Sequence, residues 1–432
     1  MEELVYKAIC DDRPARLESF LRNGGDPNTW IEDSARISTK SFLHVCCEKG
    51  RIRCVKVLLE NGAQVDIQGS WGQSPLMLCI LVEYFDIAEL LINNNPSIIN
   101  QQDSSGNTCL HIAIGNDSVE GVELLLRYHA DMNIMNMIGI SPLMKICTMK
   151  ESKNMHKIVE LFIQAGVDID LKDFKSNRTA LQGAVLSKNI STVELLLNAG
   201  ADPNSQDRSG RNALSNLIMS NLRLYEQTHI IDDHLMTIIH LLVMSGTDLD
   251  TCRYEGSSPL VMAIQFRCTP LVNYLLVNGA SINGKFFGGI TPLHHAVNKK
   301  DIETVKVLLN WSSDLTIKAR MDKYNYDLLF DCFEWAILTG CVDIALLLVQ
   351  AGYNASAIDY ITNYSIMPPQ CLQERPEILD ELRMMASQPP SLFDVAVRRI
   401  RRSLRSNIVS RADQLPLPKL LIEDVKMRGT LC

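Results

Sequence analysis

The chain has 432 residues and a formal net charge of −8, with 46% hydrophobic, 21% charged and only 6% aromatic residues. This length exceeds what one hydrophobic core usually supports, so the sequence predicts either several domains or a stack of repeats. The apolar residues are mostly Leu, Ile, Val and Ala, which is typical of packed helices.

The start of the chain and its cysteines bear on the compartment. Nothing after Met1 resembles a secretory leader, and the longest apolar run, residues 76–82, is too short to cross a bilayer. The 13 cysteines are scattered and odd in number, and several lie in apolar helical patterns, where free cysteine behaves as a small hydrophobe. We therefore expect reduced cysteines, no membrane partner, and a location in the cytoplasm or also in the nucleus.

A repeated start pattern divides most of the chain into short units. The first unit, residues 2–28, lacks this pattern but ends in Gly-Asp-Pro-Asn, as a terminal repeat would. Nine further units begin with a Ser/Thr-Pro-Leu pattern or a variant of it, at Ser41, Ser74, Thr108, Ser141, Thr179, Asn212, Ser258, Thr291 and, weakly, Asp331. The leucines of the first eight starts lie 33, 34, 33, 38, 33, 46 and 33 residues apart. A period of this length indicates an array of about ten repeats.

Elementary helix chemistry explains the pattern. Ser or Thr caps a first helix, Pro occupies a position where its missing N–H costs nothing, and Leu begins the buried stripe. About fifteen residues later a second apolar helix ends in a Gly-containing turn, as at Gly62, Gly200 and Gly279, where glycine supplies a left-handed cap. One unit is too thin to bury its own apolar face, so neighbouring units must stack.

These motifs resemble the ankyrin repeat, whose Thr-Pro-Leu-His signature stands at Thr291–His294 and whose Gly-Ala-Asp signature stands at Gly200–Asp202. The resemblance implies an all-α repeat fold, an ankyrin-like α-solenoid with β-hairpin loops, over residues 1–355. Three insertions, residues 149–155, 221–235 and 320–328, lengthen individual units and predict local bulges where binding concentrates.

Ankyrin-like stacks bind protein partners through loop tips and first helices. The predicted tips carry large apolar or arginine side chains, which exposed loops rarely hold without a packing partner. The candidate target-binding residues are Trp71, Met135, Met137, Phe174, Arg208, Tyr254, Phe286 and Phe287. The alternative is that each side chain packs on the adjoining loop.

The histidines and cysteines suggest chemistry but have simpler interpretations. His44, His111 and His294 recur at one repeat position, so we interpret them as structural groups that hydrogen-bond backbone between turns rather than as metal ligands. His229, His234 and His240 do not fit a zinc spacing. No Cys-x-x-Cys pair, P-loop, Gly-x-Ser-x-Gly or His-Glu-x-x-His motif occurs. The sequence predicts no catalytic residue, no metal and no cofactor.

The repeat pattern fades beyond residue 355. Residues 356–388 contain Pro368, Pro369 and Pro376 before a short helical stretch, and we interpret this segment as an end cap and connector. From Pro389 onward the chain has nine Arg or Lys and four Asp or Glu, so the tail has a formal charge of +5 and the remainder has −13. In this tail an apolar stripe recurs every four residues at Leu392, Ala396, Ile400 and Leu404.

This stripe, followed by Leu415, Pro416, Leu417 and Pro418, resembles the SOCS box of the ankyrin-repeat and SOCS-box family. The resemblance implies a small helical SOCS box over residues 389–432. By this resemblance Leu392, Ala396, Ile400 and Leu404 bind elongin C, which elongin B completes, and Leu415–Pro418 selects cullin-five with its RING protein. The family carries cysteine where this chain has Ala396, which fills less of the elongin pocket.

Two other interpretations of the tail stay open. The arginines at positions 398, 399, 401, 402 and 405 resemble a nuclear-import or nucleic-acid patch, but they flank an apolar stripe as a solvated or adaptor-contacting face does, so we expect no nucleic-acid partner. The stripe could also dock on the last repeat, which would leave a protein-binding scaffold unconnected to ubiquitin. The favoured hypothesis is a substrate receptor of a cullin-RING ubiquitin ligase that binds an unknown target protein.

Overall fold

A computed structural model describes residues 2–32, 39–228, 232–251, 257–320, 329–363, 365 and 367–387 of the chain. Within these residues almost all regular structure is helical. In chain order the first twenty helices are α1 (Glu2–Cys10), α2 (Pro14–Arg22), α3 (Phe42–Lys49), α4 (Ile52–Glu60), α5 (Pro75–Leu81), α6 (Phe85–Asn94), α7 (Cys109–Gly115), α8 (Val119–Arg127), α9 (Pro142–Thr148), α10 (Met155–Gln164), α11 (Ala180–Leu186), α12 (Ile190–Asn198), α13 (Ala213–Thr228), α14 (Asp233–Met244), α15 (Pro259–Gln265), α16 (Thr269–Val277), α17 (Pro292–Asn298), α18 (Ile302–Asn310), α19 (Cys332–Leu338) and α20 (Val342–Gln350).

Three further helices follow, α21 (Asp359–Thr362), α22 (Gln370–Gln373) and α23 (Pro376–Ser387). Two antiparallel strand pairs are present among the described residues. β1 (Trp30–Glu32) pairs with β2 (Thr39–Ser41), with Ile31 opposite Lys40, and β3 (Ala319–Arg320) pairs with β4 (Leu329–Phe330), with Ala319 opposite Phe330.

The other described tips are turns rather than strand pairs, which refines the expectation of β-hairpin loops. Short-range backbone hydrogen bonds close these tips, such as Asp103 N to Asn107 O at 2.9 Å and Asn136 N to Ile140 O at 3.0 Å. Tips of this length are too short for a ladder of paired residues.

The first helices begin as the sequence predicted. The side-chain oxygen of the residue before the helix accepts the backbone N–H three residues on at Ser41, Ser74, Ser141, Thr179, Ser258 and Thr291. Each such cap satisfies a donor that the helix leaves free and contributes about 1 kcal/mol. The turn after the second helix is also as predicted, since Gly200 has φ +90° and Gly279 has φ +97°.

The contacts divide the described chain into two compact units. The first is the described part of Met1–Arg208 and His234–Ser245, and the second is the described part of Ser209–Asp233 and Gly246–Cys432. In the first unit the helices form two layers, because α1, α3, α5, α7, α9 and α11 pack in succession, as do α2, α4, α6, α8, α10 and α12. In the second unit α13, α15, α17 and α19 pack in succession, as do α16, α18 and α20.

A ladder of side-chain hydrogen bonds joins successive repeats at the end of the second helices. An Asn or Asp carbonyl or carboxylate oxygen of one repeat accepts a backbone N–H of the next repeat. In the first unit the pairs are Asn28 with Gln64, Asn100 with Asp131, Asn133 with Asp168 and Asp170 with Asp202, at 2.8 to 3.3 Å. In the second unit Asp250 and Asn283 accept from Ser281 and Asp314. The ladder sets the spacing of neighbouring repeats and so the positions of their tips.

The predicted insertions take different forms. Residues 221–228 extend α13 to sixteen residues rather than forming a loop. Residues 149–154 form a loop that bonds to the preceding repeat, since Ser152 Oγ donates to Asp117 Oδ1 at 2.6 Å and Asn154 Nδ2 donates to Asp117 O at 2.8 Å. Of the third insertion only Arg320, in β3, lies within the described residues.

Candidate functional site

The tips of the first unit are tied to one another by backbone hydrogen bonds. Ser104 N donates to Trp71 O, Met137 N to Ser105 O, and Arg208 N to Ser176 O, at 2.9 to 3.0 Å. These bonds fix three pairs of neighbouring tips, so side chains on these tips form a surface of defined geometry rather than a set of independent loops.

Glycine allows two of these tips to approach closely. Gly139 has φ +81°, and a Cβ at this position would lie 2.6 Å from the backbone nitrogen of Phe174. Any larger residue would push the Met137 and Phe174 tips apart.

Large apolar side chains on these tips face solvent. Trp71 is 72% exposed, Met137 is 75% exposed and Phe174 is 63% exposed. Three of the candidate target-binding residues are therefore mostly exposed large apolar side chains. Ile138, beside Met137, is 63% exposed. It was not among the predicted candidates, although two adjacent apolar residues in a predicted tip could have indicated it.

Trp71 also has an unfavourable backbone. Its φ is +64°, in the left-handed region that bulky residues rarely adopt. Neither burial nor backbone preference explains a tryptophan here, and residues held in such conformations cluster at functional sites.

A groove opens between the tips and the first helices of two neighbouring repeats. Its volume is about 690 Å³, and its apolar lining includes Met137, Ile138, Met144, Phe174 and Leu186. Gly183 on α11 lies on the floor of the groove. The two helices pack closely there, since a Cβ at Gly183 would lie 3.0 Å from Cγ2 of Thr148 on α9. The groove can accept a large apolar side chain from a partner.

The remaining candidate target-binding residues are less uniform. Arg208 is exposed and its guanidinium donates to the backbone oxygen of Phe174. Met135 and Phe286 are only half-buried. Tyr254 lies outside the described residues, and the side chain of Phe287 is also outside them. The elongin-binding and cullin-binding candidates, within 392–404 and 415–418, lie outside the described residues as well.

The carboxylates near the groove are already engaged. Burial alone would raise the pKa of Asp173, but hydrogen bonds from Ser176 and from the backbone of Arg178 and Lys175 lower it overall. The Asp207 carboxylate is 4% exposed and lies 3.7 Å from Arg178 Nε. Asp207 is therefore paired with a cation, whereas Asp173 is held by neutral donors and keeps its negative charge.

The cations around the groove are paired differently. Lys172 Nζ donates to Gln206 O at 3.4 Å, and Arg208 donates to Phe174 O. A carbonyl oxygen satisfies a hydrogen bond but carries no net charge, so the positive charge of these groups is not cancelled.

The repeated histidines are structural, as the sequence predicted. His44 and His111 each contact a backbone oxygen of the next repeat through Nε2, Gln73 O and Ile140 O respectively, both at 3.0 Å. His294 makes the same contact with Phe330 O at 3.3 Å. The Nδ1 atom of each ring lies against the capping Ser or Thr three residues earlier. Both ring nitrogens are therefore engaged, which leaves none for a metal.

These histidines make stability depend on pH. Burial lowers the pKa of His44 and of His294 from 6.5 to about 4. Between these values the unfolded chain binds protons that the folded chain does not, so the free energy of unfolding falls as the pH decreases from 7 to 5, by roughly 1–2 kcal/mol for each histidine.

A glutamine can replace these rings, because Gln182 already does so in this chain. Thr179 N donates to Gln182 Oε1 at 3.2 Å and Gln182 Nε2 donates to Ser205 O at 3.0 Å. We expect the double variant His44→Gln/His294→Gln to unfold near the wild-type urea midpoint at pH 7 and to lose less stability at pH 5. The same loss between pH 7 and pH 5 in variant and wild type would contradict this assignment.

The cysteines predicted to pack in the core are buried. Cys46, Cys79, Cys109 and Cys332 are fully inaccessible. Burial raises the pKa of Cys147 to about 12 and raises that of Cys109 further, so both thiols stay protonated and unreactive. In the part of the chain that the structure describes, no three His, Cys, Asp or Glu side chains converge as metal ligands would. Among the described helices, none combines the length and apolarity needed to span a bilayer.

Comparison with known proteins gives the family. The model of Ankyrin repeats (3 copies) matches residues 8–102, 43–136, 110–207 and 230–320, which together exceed half of the chain. The chain belongs to the ankyrin-repeat family. Such repeats imply protein partners, in agreement with the exposed tips and groove.

Three curated relatives differ in how much of this ankyrin-repeat chain they match. Putative ankyrin repeat protein FPV031 of Fowlpox virus is 29% identical over 37% of this chain and 47% of its own length. B-cell lymphoma 3 protein homolog of Mus musculus is 27% identical over 51% of this chain and 47% of its own length. The chain thus spans less than half of these two relatives. Ankyrin repeat and SOCS box protein 6 of Pongo abelii is 23% identical over 88% of this chain and 87% of its own length.

A solved structure was also found to be similar. The crystal structure of the ankyrin repeat domain of Bcl-3 is 26% identical, covers 54% of this chain and 96% of that domain, and aligns with a TM-score of 0.46.

Proposed function

We propose that this ankyrin-repeat protein is the substrate-recognition subunit of an elongin B/C–cullin-five RING E3 ubiquitin ligase. It binds a target protein through its repeats and the adaptor through residues 389–432. The observation that carries the proposal is the order of motifs in the tail, an apolar stripe from Leu392 to Leu404 and then Leu415–Pro418, after a repeat array. The alignment with Ankyrin repeat and SOCS box protein 6 supports it, because it spans nearly the whole of both chains.

The proposed mechanism needs no catalytic residue in this chain. The repeats hold the target while the RING partner brings a ubiquitin-conjugating enzyme, which carries ubiquitin as a thioester, to the same assembly. A tethered acceptor lysine then meets the thioester at a high effective concentration, which accelerates transfer through proximity.

The packing at the end of the repeats supports this proposal over a scaffold capped by its own tail. α23 packs against α20, and its Ile378, Leu379 and Leu382 are buried. Arg375 Nη2 also bonds to Asp343 Oδ1 at 3.0 Å. Residues 376–387 therefore already cover α20, the second helix of the last repeat. The Leu392 stripe is not required as a cap.

The test is recovery of partners by the full chain. Tagged wild-type protein is expected to retain elongin B, elongin C and cullin-five from purified components. Replacing Leu415–Pro418 with alanines is expected to release cullin-five while both elongins stay bound, because the two contacts use separate segments. If the folded wild-type chain retains neither elongin, the proposal is wrong and the scaffold alternative takes its place.

A further inference from the structure

The groove beside Phe174 has the shape to hold one large side chain. It lies between the tips at Met137 and Phe174 and the helices α9 and α11, and its volume is about 690 Å³. That volume is within the usual range of ligand sites, of the order of 300–1,000 Å³. Gly183 lines the floor, where α11 packs closely on α9, since a Cβ at Gly183 would lie 3.0 Å from Cγ2 of Thr148.

The charges around this groove sum to a positive value. Lys172 and Arg208 bond to carbonyl oxygens, and among the described residues neither forms an ion pair. Lys175 adds an exposed cation that lines the groove. Arg178 lies beside the buried Asp207, and Asp173 keeps its negative charge because only neutral donors bond to it, so three unpaired cations outnumber one carboxylate. The groove therefore attracts negative charge, although the whole chain is acidic at −8.

We infer that this groove binds an extended acidic segment of a target protein, with a large apolar side chain of that segment inserted between Met137, Phe174 and Leu186. The inference rests on the proposed role of the repeats in target binding and specifies the class of target. The flanking carboxylates of the segment meet Lys172, Lys175 and Arg208. These cations raise the association rate and select against basic segments.

A protein segment fits the groove better than a nucleic acid. Nucleic-acid sites combine basic residues with aromatic faces on which bases stack, and they make many phosphate contacts. Here the apolar lining is mostly aliphatic, with Phe174 as its one aromatic ring. The lining suits a leucine, methionine or phenylalanine side chain.

The probes for the test are labelled peptides and the readout is fluorescence polarisation with the full chain. The first peptide has a central Leu-Phe pair flanked by Asp and Glu, the second has these acids replaced by Lys, and the third has the Leu-Phe pair replaced by Ser. A single-stranded RNA of similar length is the fourth probe. We expect the first peptide to bind at least about tenfold more tightly than the other three probes.

Two variants and a matched control locate the site. Ser187→Trp places a bulky ring at the exposed edge of the groove, and Arg208→Glu reverses a charge at its rim. Each variant is expected to bind the acidic peptide about tenfold more weakly than wild type. Asn198→Trp introduces the same ring at an exposed position on α12 of the same repeat and is expected to leave binding unchanged. Circular dichroism checks that all three variants are folded.

The outcomes separate this inference from the proposed function. If the acidic peptide binds no better than the basic peptide or the RNA, or if Ser187→Trp leaves its affinity unchanged, the inference is overturned. Elongin C binding by the same preparations is measured in parallel. Elongin binding without peptide selectivity rejects the groove assignment alone, whereas selective peptide binding without elongin binding rejects the ligase assignment alone.

Discussion

Substitution of Leu392 by aspartate is expected to abolish recovery of elongin B, elongin C and cullin-five together. The resemblance places this leucine in an apolar pocket of elongin C, where a carboxylate loses its hydration without gaining a partner. That loss costs at least about 3 kcal/mol, which weakens binding roughly a hundredfold or more. Recovery on the immobilised chain measures the effect, and a target protein should accumulate in cells that carry the variant.

Two further variants make this result specific. Ser391→Asp adds the same charge one residue earlier, off the stripe formed by Leu392, Ala396 and Ile400, and is expected to retain the adaptor. Ala396→Cys restores the side chain found in the resembled family and is expected to tighten binding by about 0.5–1 kcal/mol, because a larger apolar group fills more of the pocket. Equal recovery by Leu392→Asp and wild type would show that this stripe is not the adaptor contact.

A second large effect is expected on stability, from two phenylalanines of the same unit. Phe162 on α10 is fully buried, so Phe162→Ala should lower the free energy of unfolding by about 3–5 kcal/mol through lost burial and a residual cavity. Phe174 is 63% exposed, so Phe174→Ala should change the free energy of unfolding by less than about 0.5 kcal/mol. Urea denaturation of the two variants beside wild type measures the difference.

The same two variants test the role of Phe174. If its ring contacts a partner and does not stabilise the fold, Phe174→Ala should keep the wild-type urea midpoint and lose binding of the acidic peptide. A clear drop in stability for Phe174→Ala would instead indicate that the ring packs on its own loop.

The scaffold alternative makes different predictions for the tail. It expects Leu392→Asp to destabilise the last repeats, because the stripe would be part of their packing. The ligase hypothesis expects no change in the urea midpoint, because α23 already packs on α20. One denaturation series therefore distinguishes them without any partner present.

Local features of the fold were predictable from the sequence alone. The caps at Ser74 and Thr291 and the left-handed turn at Gly200 each depend on atoms within a few residues, so the local pattern is sufficient to identify them. The backbone contacts of His44 and His111 were predictable too, because a residue that recurs at one repeat position meets the same neighbour each time.

Which tip residues form a surface depends on the folded arrangement of the repeats. Met137 is exposed while Met135, two residues earlier, is half-buried, although both are methionines of one predicted tip. The groove over Gly183 and the bonding of Lys172 to a carbonyl of the next repeat also involve residues far apart in the chain. The repeats and their caps could be predicted from the residue pattern, because their causes lie within a few residues of one another. The position and charge of the groove come from contacts between repeats, which no local pattern encodes.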